Sequence, residues 1–267
     1  MANDLQSLHT VRRGAGRPLV LVHGLGGNWQ SWTPILDALA AKREVIAFDL
    51  PGHGQSAARA DSGTFIGLAD SVEAYLAAQS LTGADLVGSS LGARLVLELA
   101  RRGGTGAVVA LDPGGFWRGW ERTFFKTTIG ASVRLLRALR PSLPAVTGSA
   151  IGRTMLLTQL SARPWALDPG QVATELQNYA TTPTFDALVR DLSAGPEQRG
   201  PAGPGAGRIA IGWGRSDRLC LPRQADRAMA AFPTATLHWF YGSGHFPAWD
   251  RPAETARYIL ENTGTSA

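Results

Sequence analysis

The chain of 267 residues reads as an α/β protein, a doubly wound, mostly parallel sheet covered by helices. Three observations carry that reading. Short apolar runs alternate with helical patterns along most of the sequence. The runs are continuous, as in Pro18–His23 (PLVLVH), which suits strands buried on both faces. Turns rich in Gly and Pro punctuate the alternation.

In chain order the strand-like runs are Pro18–His23, Glu44–Phe48, Asp85–Val87, Ala107–Leu111, Arg208–Trp213 and Thr236–Phe240. The segment before about residue 15 is expected to add one or two antiparallel edge strands. Helical patterns fill Trp29–Ala41, Phe65–Ala78, Leu91–Arg101, Arg223–Ala231 and Ala253–Glu261.

Between Gly115 and Gly207 the strands stop. Phe125, Ile129, Val133 and Leu136 form an amphipathic helical stripe. Asp168-Pro169 reads as an N-cap with Pro at the first helical position, and Val172, Leu176 and Tyr179 continue that helix. Phe185, Leu188, Val189 and Leu192 mark a last, short helix. The segment reads as a helical cap inserted after the sixth strand, counting two edge strands. The expected division is a core of residues 1–114 and 208–267, with a cap and hinge at 115–207. The hinge is Gly195–Gly207, where eight of 13 residues are Gly or Pro, and it is expected to be exposed and irregular.

Composition removes several classes. An apolar content of 44% argues against disorder. No apolar run approaches the ~20 residues needed to span a bilayer, so no membrane partner is expected. The opening MANDLQSLHT lacks the basic and apolar regions of a secretory signal. The single Cys220 cannot form an internal disulfide and fits a reducing compartment, so the expected location is the cytoplasm. The net charge is +5, but no basic run or recognised motif supports nucleic-acid binding. No cluster of His, Cys and carboxylates and no G-x-G-x-x-G after a strand is found, so neither a metal nor a cofactor is expected.

The sharpest motif is Gly88-Ser89-Ser90-Leu91-Gly92, a G-x-S-x-G between a strand run and a helical run. A sharp strand-to-helix turn needs small residues two positions either side of a nucleophile, which puts Ser90 in frame and leaves Ser89 as the x. The second motif is His23-Gly24-Leu25-Gly26-Gly27, directly after a buried strand. An acyl-transfer site needs two donors on its oxyanion, and these are assigned to the backbone N–H groups of Leu25 and Leu91.

With DLPGHGQS at 49–56, GRSD at 214–217 and GSGHFPAWDRP at 242–252, these motifs resemble the α/β-hydrolase fold family over nearly the whole chain. The resemblance implies a Ser…Asp…His triad in that order. It also implies that Asp49 and His53 are scaffold in a structural turn. Elimination among the five histidines agrees on His245 as the base. His9 is terminal, His23 and His53 sit in Gly-rich turns, and His238 is mid-strand. Asp217 is the expected acid, with Asp112 in LDPGG as the alternative.

The expected substrate is a small ester, and Trp29, Trp117, Trp120 and Phe246 are the expected aromatic pocket. Serine at 90 excludes the family branches that use an Asp nucleophile. The carbon–carbon bond hydrolases of the family usually carry a longer first loop and a Trp after the base. Here Phe246 follows His245, which lowers that alternative. A ligand-binding relative with little turnover is the third reading. From Phe116 to Arg163 there are eight basic residues and one acid, Glu121. This reads as a solvated helical face, or as a rim that attracts an anionic substrate.

Overall fold

A computed structural model describes residues 8–264. Seven strands form one sheet in the order β1-β3-β2-β4-β5-β6-β7. They are β1 (Thr10–Arg13), β2 (Pro18–Val22), β3 (Glu44–Phe48), β4 (Asp85–Ser89), β5 (Val108–Leu111), β6 (Ile209–Gly214) and β7 (Thr236–Phe240). β1 runs antiparallel to β3, and every other pairing is parallel.

The continuous apolar runs are explained by the two faces. Val20, Ile46, Leu86, Val108 and Ile209 pack on one side with α2 (Phe65–Ala78), α3 (Leu91–Arg102) and α9 (Gln224–Ala231). Their neighbours Leu19, Val45, Val87, Val109 and Ala210 pack on the other with α1 (Thr33–Ala40), α10 (Pro247–Asp250) and α11 (Pro252–Asn262). Alternate residues therefore enter different cores, and both cores are apolar.

Between β5 and β6 lie α4 (Trp120–Leu139), α5 (Leu143–Gly148), α6 (Ala150–Leu157), α7 (Pro169–Thr181) and α8 (Phe185–Ala194). This insertion follows the fifth described strand, not the sixth. A single antiparallel strand, β1, precedes Pro18 among the described residues, and residues 1–7 lie outside them. Asp168 caps α7 as expected, its Oδ1 accepting from the Gln171 N–H at 2.7 Å. The short α5 and α6 escape sequence periodicity because they span only six and eight residues.

Gly195–Gly207 is irregular, but it is not a free hinge. The N–H of Gln198 donates to the Gly115 carbonyl at 2.8 Å, and that of Gly203 to the Ala100 carbonyl at 2.8 Å. A Cβ on Gly200 would lie 1.9 Å from the Ala231 carbonyl oxygen. Glycine is present there because the segment lies flat against the core.

Candidate active site

β4 ends in a turn that few sequences can make. Ser90 adopts φ 55° and ψ −112°, a left-handed conformation unusual for a residue with a side chain. A Cβ on Gly88 would lie 2.2 Å from the Gly92 carbonyl oxygen, and one on Gly92 would lie 2.0 Å from that of Val22. Glycine at both places is therefore a packing requirement of the turn. The strain, of order 1–3 kcal/mol, is held by fixed backbone bonds. Ser90 N–H donates to the Leu111 carbonyl at 2.9 Å, and the Ser90 carbonyl accepts from the Arg94 N–H at 3.0 Å. The hydroxyl is thereby carried at the N-terminus of α3, where negative charge is favoured.

His245 arrives from the loop after β7. Its N–H donates to the Leu160 carbonyl at 2.8 Å, and the adjacent Gly244 N–H donates to Asp250 Oδ2 at 2.7 Å. The imidazole lies between two partners, with Nε2 2.8 Å from Ser90 Oγ and Nδ1 2.8 Å from Asp217 Oδ2. The second oxygen of Asp217 accepts from the N–H groups of Leu219 at 2.7 Å and Cys220 at 3.0 Å. An ionised Asp217 can only accept, so Nδ1 carries the proton and Nε2 is free to accept from the serine hydroxyl. The arrangement can pass a proton from a hydroxyl to an imidazole whose orientation a buried acid fixes.

Asp112 bonds neither His245 nor Ser90, but its carboxyl lies against that of Asp217. Its Oδ1 accepts from the Gly214 N–H at 2.8 Å, and its Oδ2 has no partner among the described residues. Burial, then the charge of neighbouring Asp217, pushes its carboxyl well above the usual range.

The loop at 23–27 is fixed from below. Buried Asp49 accepts from the N–H groups of Trp29 and Gln55, each at 2.8 Å. His23 Nδ1 lies 2.7 Å from the Gly24 carbonyl, and its Nε2 accepts from the Leu50 N–H at 2.9 Å. This leaves His23 neutral, with burial and then nearby His53 lowering it to about 3. The turn at 49–56 and the Gly-rich loop thus brace each other. Leu25 lines the cavity beside Ser90, and Leu91 follows Ser90 as the first residue of α3.

The cavity above Ser90 measures about 130 Å³, with Leu25, Phe125, Ile129, Val133, Leu136 and Phe246 in its wall. Of the four expected pocket aromatics, only Phe246 is there. Trp117 is buried at 2% exposure and stacks on the far side of Phe125, ring centres 4.6 Å apart. Trp120 is 58% exposed, edge-on to Phe124 and under the Arg223 guanidinium. Trp29 stands at the start of a 3-10 turn and packs against the core. The apolar stripe of α4, which packs on α7 and α8, lines the cavity instead. Part of the insertion's basic surface is paired. Arg118 and Arg122 face Glu197 at 3.9 and 3.6 Å, and Arg137 pairs with Asp186 at 2.7 Å. Arg153 and Arg163 donate to carbonyls of Thr147 and Asp250 at 2.7 and 2.6 Å.

Two buried acids near the site are absent from the sequence reading. Asp250 accepts from the Ser161 hydroxyl at 2.5 Å and the Ala162 N–H at 2.9 Å, as well as from Gly244. It therefore ties the insertion to the His245 loop. The spacing of Asp250, five residues beyond His245 in the same motif, was the available signal. Glu175 of α7 accepts from the Ser31 hydroxyl at 2.8 and 3.0 Å, and burial pushes it up to about 7. No sequence signal marks it, since its partner is 144 positions away. Asp217, Cys220 and His245 bring ligand atoms within 4.8 Å of one another. They fit a metal poorly: Asp217 and His245 are already bonded to each other, and burial raises the Cys220 thiol.

The family model for the alpha/beta hydrolase family matches residues 19–258. An uncharacterized protein of Mycobacterium tuberculosis is 28% identical over 94% of this chain and 77% of its own length. The dihydrolipoyllysine-residue acetyltransferase component of an acetoin cleaving system from Cupriavidus necator is 30% identical over 95% of this chain and 66% of its own. A 2-hydroxymuconate semialdehyde hydrolase of Pseudomonas is 39% identical over 93 residues, 33% of each chain. Among solved structures, a thermophilic esterase from Thermogutta terrifontis superposes with a TM-score of 0.73 at 18% identity, covering 95% of this chain and 92% of its own. That likeness is one of fold. The match to the family model covers most of the sheet, its helices and the insertion, and the chain belongs to the alpha/beta hydrolase family.

Proposed function

We propose that the protein is a serine hydrolase that cleaves a carboxylic ester through an acyl-enzyme. The observation that carries this reading is the hydrogen-bonded series Ser90–His245–Asp217, which opens on an apolar cavity. His245 takes the Ser90 proton as Oγ adds to the ester carbonyl. The N–H groups of Leu25 and Leu91 receive the oxyanion. His245 then protonates the leaving alcohol. In the second half His245 deprotonates a water, which adds to the acyl carbonyl, and the acid leaves as Ser90 regains its proton. Asp217 holds the imidazole and stabilises its cation. No cofactor enters this scheme, and the insertion at 115–207 serves as the cap over the substrate.

The stretch shared with the 2-hydroxymuconate semialdehyde hydrolase favours one second reading, carbon–carbon bond hydrolysis with the same three residues. Turnover of p-nitrophenyl esters of graded chain length separates the two. The ester reading expects turnover with an optimum set by the cavity. Turnover of a vinylogous diketone with none of any ester would favour the second reading. Binding without turnover of either would make the protein a ligand-binding relative.

A further inference from the structure

Tyr179 and Phe246 stand in the wall of the main cavity and also in that of a second, smaller one of about 10 Å³. The smaller cavity is otherwise lined by Gly24, Ser31, Trp32, Ser89 and Glu175 among others, so it lies beside the Gly-rich loop and the residue before Ser90. Glu175 is 3% exposed and shares its two oxygens with one Ser31 hydroxyl. The Tyr179 phenol also lies against it, and no cation does so among the described residues. A carboxylate offers about four acceptor positions, so capacity remains. Trp32 is 1% exposed, and its Nε1–H has no acceptor among the described residues. A buried donor left in this way loses its hydrogen bonds to water without replacement.

Glu175, with acceptor capacity to spare, and Trp32, with a buried donor unused, thus line one cavity with room for about one non-hydrogen group. The chemistry selects among small groups. An ammonium could donate to Glu175 but could not accept from the indole. A carbonyl could accept from the indole but offers nothing to Glu175 once it is ionised. A methyl does neither. A hydroxyl does both.

We propose that this cavity receives a hydroxyl on the short arm of the substrate, with Trp32 Nε1–H donating to that hydroxyl and the hydroxyl donating to Glu175. The long apolar arm occupies the main cavity, so the substrate class is a hydroxy-substituted ester. This inference rests on Ser90 being the nucleophile of a hydrolase. A site built to hydrogen-bond a substrate hydroxyl rejects the analogue lacking it, because its own buried groups are then left unpaired.

The test compares hydroxyl-bearing esters with their methyl isosteres. One pair carries the group on the acyl arm, as in 3-hydroxybutyrate against 3-methylbutyrate esters. The other carries it on the alcohol arm, as in 2-hydroxyethyl against propyl esters. The expected result is a hydroxyl-to-methyl ratio of kcat/KM of at least about 10 on one arm. The ratio should fall at least threefold in both Glu175→Gln and Trp32→Phe, about 0.7 kcal/mol or more. Fluorophosphonate labelling of Ser90 reports the integrity of each variant. A ratio near one on both arms, or one that survives both substitutions, would overturn the hydroxyl pocket. A wild-type protein that neither labels at Ser90 nor turns over any ester would instead overturn the hydrolase reading beneath it.

Discussion

Glu175→Gln should stabilise the protein at alkaline pH and do little at acid pH. The carboxyl is buried against Ser31 and Tyr179 with no cation beside it, and burial raises it from 4.5 to about 7. The folded state therefore keeps its proton after the unfolded chain has released it. Stability from this group is fully present below pH 4.5 and is lost as pH rises towards 7. Each step of one in pKa is worth 1.36 kcal/mol, so the loss totals about 3 kcal/mol. Glutamine keeps an oxygen for the Ser31 hydroxyl and has nothing to ionise. Urea unfolding of both proteins, followed by Trp fluorescence at pH 5, 6, 7 and 8, gives the difference free of every other titrating group. The variant should gain about 2.5 kcal/mol on wild type between pH 5 and 8, most of it below pH 7. A difference that stays flat across this range would refute the buried, uncompensated carboxyl.

Two further predictions concern the site and its scaffold. Asp217→Asn should lower kcat by about 10⁴ by leaving His245 in the wrong tautomer. Asp112→Asn should stay within about tenfold, since its carboxyl bonds Gly214 rather than the imidazole, and steady-state kinetics on one ester ranks the two. His23 behaves oppositely to Glu175: lowered from 6.5 to about 3, it stays neutral in the fold while the unfolded chain protonates. Its stabilising share is lost as pH falls below 6.5, by about 2 kcal/mol at pH 5. His23→Gln should therefore flatten the acid limb of the stability curve, and an unchanged limb would argue against a buried neutral imidazole.

The sheet was legible because both faces of its central strands are buried. That turns Leu19–Val22 and Val45–Phe48 into unbroken apolar runs with Gly-rich turns beyond them. The turn at Ser90 was legible because its geometry restricts the sequence so tightly: the Cβ distances at Gly88 and Gly92 leave glycine as the residue that fits. The pocket was not legible. Which aromatics face Ser90 depends on the angle at which α4 packs on α7 and α8, and no local pattern encodes that angle. Trp117 and Phe125 are neighbours in one stack, yet only Phe125 reaches the cavity. Glycine content misled in Gly195–Gly207, because close backbone packing and flexibility call for the same residue. Glu175 was invisible as a site residue because its partner comes from a distant segment.

The central claim is that Ser90 is a nucleophile activated by His245. It is tested most directly by treating wild type, Ser89→Ala, Ser90→Ala and His245→Ala with a fluorophosphonate, then mapping the modified peptide by mass spectrometry. The account predicts stoichiometric phosphonylation of Ser90 in wild type and Ser89→Ala, none in Ser90→Ala, and labelling slowed by at least about 10³ in His245→Ala. Modification at Ser89, or equal labelling rates with and without His245, would contradict it.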